Sequence, residues 1–226
     1  MQANDFDSQF SAGLEHLEQG HPELAVDCFE RAIDLDPNVS QAFYNRALCY
    51  EVIGNFALAL ADFSQTAELD PNDTDAYLGK ANCHYELGNF HAALVELERA
   101  DELDKTSDVE GLRGLTYFAL GENEQAIGDF TRALERHPEK RIIHFNRAHA
   151  YANLRDFDAA VADYSASLGD GYDAEVLYHR GVANTERGQF RPALDDFKAA
   201  LALGDTSDEL AAGIKHLESL IGPTDR

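Results

Sequence analysis

One pattern recurs along the 226-residue chain with a period of 34 residues, shortened to 33 at two steps. In each copy, an alanine in the second of two short helix-like segments is followed four residues later by a large side chain. The alanines are Ala25, Ala59, Ala93, Ala126, Ala160 and Ala193, and the large residues are Phe29, Phe63, Leu97, Phe130, Tyr164 and Phe197. A fixed period of this length predicts a stack of similar units rather than a domain of unlike elements.

Each copy also carries the residues that a helical hairpin needs. A small residue in the first helix lets the two helix axes approach closely. These residues are Gly13, Ala47, Ala81, Gly114, Ala148 and Gly181. A glycine, which adopts positive φ easily, closes the first helix in every copy but the fifth, where Arg155 stands instead. Asp-Pro or His-Pro stops the second helix in three copies, at Pro37, Pro71 and Pro138.

These landmarks resemble the tetratricopeptide repeat, a helix-turn-helix unit of 34 residues. The resemblance implies an all-α fold, a right-handed superhelical α-solenoid of six tandem repeats. The repeats are predicted at 6–39, 40–73, 74–106, 107–140, 141–173 and 174–207. A lone amphipathic helix over 208–222, with its apolar stripe at Leu210, Ile214, Leu217 and Ile221, is predicted to cap the exposed end of the stack.

The charge balance narrows the class of partner. Acidic residues outnumber basic ones by 42 to 18, for a net charge of -24. Binding a nucleic-acid backbone requires Lys and Arg, so the composition argues against nucleic acid and favours basic or neutral partners. No apolar run approaches the roughly 18 residues of a membrane span, and no secretory signal is visible. Three cysteines without a pairing pattern fit a reducing compartment, and we expect a cytoplasmic chain with no membrane insertion.

The sequence contains no motif for catalysis or for a cofactor. Phosphate loops, dinucleotide-binding glycines, nucleophile elbows and zinc-protease motifs are all missing. His149 and His179 are expected to face each other across neighbouring helices, but a zinc site would need two further ligands that the sequence does not supply. We therefore predict a protein that is not an enzyme and that has no cofactor and no metal.

The resemblance implies that the first helices of the repeats line a concave groove for a peptide. The positions that would face this groove hold no Lys or Arg and many aromatic residues and carboxylates. The candidate binding residues are Tyr44, Asn45, Leu48, Glu51, Asp75, Asn82, Tyr85, Glu86, Phe145, Asn146, His149, Tyr178, His179 and Glu186. Aromatic residues with polar groups are frequent interface anchors, although burial between repeats is an equally good interpretation for some of them.

Two asparagines have matching surroundings, Asn45 and Asn146, each followed by Arg-Ala. In peptide-binding members of the family an asparagine at this place bonds the ligand backbone, and the alternative is an amide that contacts its own helix. The carboxylate clamp of chaperone-docking members is not matched, because Phe10, Leu14 and Asp75 stand where cations or an asparagine would be needed.

These observations predict a non-catalytic scaffold or adaptor that holds a basic or apolar peptide segment of a partner protein. The first alternative is a homo-oligomer, in which exposed ends or groove surfaces pair to form an assembly. The second alternative is the substrate-binding repeat region of a larger enzyme.

Overall fold

Helices account for all the regular structure in the computed structural model, which describes residues 5–169 and 173–222. Within these residues there are thirteen α-helices and no strand, which confirms the all-α prediction. They are α1 Phe6–Glu18, α2 Pro22–Leu35, α3 Ser40–Ile53, α4 Phe56–Leu69, α5 Thr74–Glu86, α6 Phe90–Leu103, α7 Ser107–Ala119, α8 Asn123–Arg136, α9 Arg141–Asn153, α10 Phe157–Leu168, α11 Ala174–Glu186, α12 Phe190–Ala202 and α13 Asp208–Ile221.

Short polar residues begin several of these helices. Asp73 precedes α5, and its side chain accepts a hydrogen bond of 3.0 Å from the backbone N–H of Ala76. Asp5 caps α1 in the same way through Ser8, and Asp156 caps α10 through Ala159. A carboxylate here satisfies a backbone donor that has no partner within the helix and complements the helix dipole.

The turns between paired helices use the left-handed region of backbone space. Gly54 ends α3 with φ +82°, and its N–H donates to the Glu51 carbonyl. Arg155, which stands at the equivalent turn after α9, has φ +61°. The turn geometry is therefore kept where glycine is absent, and the strain of that conformation falls on a residue with a Cβ atom.

The alanine and large-residue landmarks form the core between paired helices. In the hairpin of α3 and α4, Ala59 and Phe63 are fully buried and pack with Ala47, while Tyr44 and Leu48 cover them. Ala160 and Tyr164 occupy the same places in the hairpin of α9 and α10. The period in the sequence is thus the period of the core.

The described chain divides into two compact units, Met1–Thr116 and Tyr117–Arg226. In the second unit the main cluster continues into α13, where Leu210 and Leu217 are almost completely buried against a core that includes Phe197. Ile214 and Ile221 pack against the same cluster. The predicted apolar stripe of α13 is therefore the face that covers α12.

An ion pair at a repeated spacing joins the two helices of several hairpins in the described part of the chain, and the landmarks above do not include it. The pairs are Arg46–Asp62, Lys80–Glu96, Arg147–Asp163 and Arg180–Asp196, all sixteen residues apart. In the third pair, the guanidinium donates to both carboxylate oxygens at 2.6 and 2.8 Å and also to the Thr131 hydroxyl at 3.0 Å. Two parallel bonds of this kind fix the relative orientation of the helices as well as their distance.

Candidate functional site

Five of the candidate residues from the sequence line one cavity in the first unit. Its volume is about 330 Å³, and we call it the acidic pocket. It is lined by Tyr44, Leu48 and Glu51 from α3, Phe63 from α4, Asp75, Leu78, Gly79 and Asn82 from α5, and Asp108 and Leu112 from α7. Apolar walls with a few polar groups are typical of sites that bind a side chain or a small ligand.

Helical spacing brings these side chains to the same place. Tyr44, Leu48 and Glu51 are separated by four and three residues, so they lie on one face of α3. The floor is the Phe63 ring, and it reaches the pocket because position 79 is a glycine. A Cβ atom at Gly79 would lie only 2.6 Å from that ring. The absence of a side chain at this position is therefore what leaves room for the ring.

Glu51 is the polar centre of the acidic pocket. Its Oε1 accepts a hydrogen bond of 2.8 Å from the Asn82 amide and a weaker one of 3.8 Å from the Cys83 thiol. Burial raises the pKa of Glu51 above its ordinary value, and the charge of Glu86 adds to this, whereas the two hydrogen bonds oppose it. The loss of hydration thus destabilises the charged form of Glu51 more than the two hydrogen bonds stabilise it.

Tyr44 forms the wall nearest to the other acidic groups. Burial, followed by the charges of Asp75, Asp73 and Glu51, raises the pKa of Tyr44 to about 12. The hydroxyl therefore remains a neutral donor at every physiological pH. Because the Tyr44 side chain is neutral, it does not balance the negative charge of the carboxylates beside it.

The two asparagines differ in their contacts. The Asn45 amide donates a hydrogen bond of 2.7 Å to the Gln41 carbonyl one turn earlier in its own helix. No hydrogen bond of the Asn146 side chain is found among the described residues. The amide group of Asn45 thus has one donor engaged within α3, while Asn146 lies half-buried on α9 with its groups available.

In the second unit, four further candidate residues meet in a group of rings, which we call the ring cluster. It consists of Phe145, His149, Tyr164, Tyr178 and His179. The centroids of His149 and His179 are 4.5 Å apart with an interplanar angle of 73°, and Phe145 lies at the same distance from His149. The two histidines therefore face each other across α9 and α11, as the sequence predicts.

Both histidines of the ring cluster are held neutral. Burial, with a smaller contribution from His179, lowers the pKa of His149 to about 4. Burial also lowers the pKa of His179, although Glu175 opposes this. The five rings are thus uncharged at neutral pH, in contrast to the carboxylates of the acidic pocket.

Besides Asn45 and Asn146, three candidate residues lie outside both the acidic pocket and the ring cluster. Tyr85 packs edge-on against Phe90 of the following helix, with 5.5 Å between ring centroids. Glu86 is exposed on the last turn of α5. Glu186 is also exposed and forms a surface ion pair of 3.1 Å with Arg155. All three lie on first helices of the repeats, as the helical spacing predicts, and Tyr85 and Glu186 have partners in neighbouring elements.

Within residues 5–169 and 173–222, no group of three or more His, Cys, Asp or Glu side chains is arranged to hold a metal ion. In the same part of the chain, no helix combines the length and the apolar character that crossing a bilayer requires. The three cysteines are buried and unpaired, and burial raises the pKa of Cys49 to about 11. Burial also raises the pKa of Cys83 to about 12, so the thiols of Cys49 and Cys83 are packing groups rather than nucleophiles at neutral pH.

Two family models, both described as tetratricopeptide repeat, match the chain. One matches residues 10–73, 112–171 and 145–208, and the other matches residues 53–115. The chain belongs to the tetratricopeptide repeat family. Members of this family mediate protein–protein interactions, and their repeats are in general non-catalytic.

The similar proteins share the repeats rather than a whole sequence. RNA polymerase II-associated protein 3 of Xenopus laevis is 29% identical over 92 residues, which are 40% of this chain and 14% of that protein. The chain thus spans a small part of that longer relative. The tetratricopeptide repeat likeness is local and carries no information about the rest of the relative.

Solved structures extend the likeness to the fold. PilW, a type IV pilus biogenesis factor, superimposes with a TM-score of 0.81 at 15% sequence identity. The match covers 92% of this chain and 97% of the PilW chain. YrrB, described as a tetratricopeptide repeat protein with an unusual peptide-binding site, gives a TM-score of 0.69 at 22% sequence identity. The match covers 83% of this chain and 97% of the YrrB chain. At these identities, the tetratricopeptide repeat fold is what is shared.

Proposed function

We propose that this tetratricopeptide repeat protein is a non-catalytic scaffold that holds an extended segment of a partner protein against the first helices of its repeats. The observation that carries the proposal is the acidic pocket, in which Tyr44, Leu48, Glu51, Asp75 and Asn82 come together around about 330 Å³ of space. The pocket is open to the surface, and concave surface sites with apolar walls and a few polar groups are where ligands most often bind.

The ring cluster supports the same proposal in the second unit. Phe145, Tyr178 and His179 are only partly buried, so their rings remain accessible at the surface. Partly exposed rings with polar edges are the side chains that most often anchor a partner. An apolar or aromatic part of a bound segment is the ligand that this neutral surface favours.

Site-specific photo-crosslinking in the full chain tests the proposal. A benzoylphenylalanine placed at Leu78, in the acidic pocket, is expected to capture partner proteins from the native lysate, and mass spectrometry then locates the captured segment. The matched control is the same group at Val95, which is 63% exposed on α6 and outside the pocket. Recurrent segments captured at Leu78 and not at Val95 would support the scaffold.

Two outcomes would contradict the proposal. Equal capture at both positions would mean that the pocket has no preference for a partner. Crosslinks only between copies of this chain, together with a mass in light scattering that rises with concentration, would favour the homo-oligomer instead.

A further inference from the structure

We propose that the acidic pocket takes one basic side chain, arginine or lysine, from the bound segment; this inference rests on the proposed function and specifies the ligand of its first-unit site. The cavity has three carboxylates in its wall, from Glu51, Asp75 and Asp108, and none of its described lining residues is Lys or Arg. Tyr44, Leu48 and Leu78 supply the apolar surface on which the stem of such a side chain would pack.

Two cations that lie next to lining residues in the sequence of α3 and α5 form ion pairs with the following helices. Arg46 of α3 binds Asp62 of α4 through two hydrogen bonds of 2.7 and 2.8 Å. Lys80 of α5 lies 2.8 Å from Glu96 of α6. Both ion pairs join paired helices, so moving either cation into the pocket would break a partly buried bridge. Neither of these two cations therefore balances the charge of Glu51.

Glu51 distinguishes a basic side chain from an apolar one. It is half-buried, and its partners in the described residues are the Asn82 amide and the Cys83 thiol, both neutral. An apolar side chain in the pocket would remove the remaining water from this carboxylate without replacing its hydrogen bonds. A guanidinium or ammonium would replace them with charge-assisted bonds, which are among the strongest in proteins.

In the second unit, the positions that correspond to Glu51 and Asn82 lack the carboxylate and the amide, whereas Glu175 keeps the carboxylate of Asp75. Counting within the repeats, Ala152 corresponds to Glu51 and Val182 corresponds to Asn82. The space is instead occupied by rings, with Phe145 and His179 6.0 Å apart between centroids. The hydrogen-bonded pair of Glu51 and Asn82 is thus a feature of the acidic pocket that the ring cluster does not share.

Capped single amino acids provide a direct probe. N-acetyl-arginine methylamide and its neutral isostere, N-acetyl-citrulline methylamide, are titrated to millimolar concentration into the ¹⁵N-labelled full chain. We expect the arginine probe to shift the amide signals of Leu48, Gly79 and Asn82, and to bind about tenfold more tightly than citrulline, the difference that one charged hydrogen-bonding group supplies.

Glu51→Gln keeps the size of the side chain and an acceptor for Asn82, so its spectrum should remain that of the folded protein. It is expected to remove most of the preference for arginine over citrulline. The matched control is Glu98→Gln, which removes an exposed carboxylate on α6 outside the pocket and should leave the preference intact. Glu51→Ala, which copies Ala152, should behave as Glu51→Gln does.

Equal binding of the two probes, no shifts with either probe, or an unchanged preference in Glu51→Gln would each overturn the inference. None of these results alone would remove the scaffold, because photo-crosslinking at Leu78 reports on any segment whatever its charge. Failure of the crosslinking experiment would instead remove the scaffold itself.

Discussion

Arg155 stands in a backbone conformation that favours glycine. Its φ is +61°, while the glycines at the equivalent turns, among them Gly54 and Gly188, have φ of +82° and +72°. Side-chain contacts partly offset the strain, because the Arg155 guanidinium lies 3.1 Å from Glu186 and 5.3 Å from the centre of the Phe157 ring. Both contacts are on the surface, where they contribute little.

We expect Arg155→Gly to raise the free energy of unfolding by about 0.5–1 kcal/mol, since relief of the left-handed conformation outweighs the lost contacts and the added freedom of the unfolded chain. Chemical denaturation measures the change. Arg155→Ala loses the same contacts but keeps the strained Cβ atom, so it should be no more stable than the parent. A glycine variant no more stable than the alanine variant would contradict this account.

His149 and His179 make stability depend on pH. An ordinary histidine has a pKa near 6.5, and in the folded protein the pKa of His149 is lowered to about 4. Between these values the unfolded chain binds more protons than the folded one, so stability rises with pH in this window. The contribution is fully present above about pH 6.5 and is lost as the pH falls towards about 4.

Replacing His149 by phenylalanine should flatten the pH dependence between about pH 4 and 6.5, by roughly 1–2 kcal/mol after allowance for partial exposure. Urea unfolding at several pH values measures the slope. His91→Gln, at an exposed position, is the control and should leave the slope unchanged. The interpretation fails if both variants lose the same slope.

At the scale of single elements, α13 closes the core of the second unit. Leu210 and Leu217 are buried against Phe197, while Leu220 on the same helix is 49% exposed. We expect Leu210→Ala or Leu217→Ala to cost about 2–4 kcal/mol and to release α13 from α12. Hydrogen exchange should show lost protection in both helices.

Leu220→Ala removes the same atoms from a half-exposed position, so it should cost clearly less, about 1 kcal/mol or below. If the two core variants weakened all of the second unit equally, α13 would be an integral part of one cooperative unit rather than a cover that opens by itself.

The elements were more predictable from the sequence than the contacts between them. Ala59 and Phe63 follow from the period, because a repeated core needs repeated residues. The pairing of Asn82 with Glu51 does not, since it depends on the distance between two helices. The interhelical ion pairs could have been predicted from the sequence, because each of these cations is followed sixteen residues later by a carboxylate. The repeated apolar pattern does not include these charged positions. The contact of Tyr85 with Phe90 likewise depends on the packing of two helices, which the period does not specify.

For the whole molecule, the dominant property is the net charge of -24. A field of this size attracts a basic segment from a distance, but it is screened within roughly 10 Å at ordinary salt concentrations. Contacts within the acidic pocket act only after arrival and at short range. The net charge should therefore affect mainly the association rate, and the contacts in the acidic pocket should affect mainly the dissociation rate.

We expect the association rate of a fluorescent, capped peptide with one arginine to fall roughly tenfold as salt is raised from low to physiological concentration, because long-range attraction is screened. The dissociation rate should change little with salt but should increase in Glu51→Gln, where the charged contact is lost. Stopped-flow fluorescence measures both rates. Glu98→Gln removes the same single charge outside the pocket, so it should reproduce the small loss in association without the faster dissociation. An association rate that is insensitive to salt would contradict long-range electrostatic attraction. If Glu51→Gln changed the association rate alone, Glu51 would not contact the bound arginine.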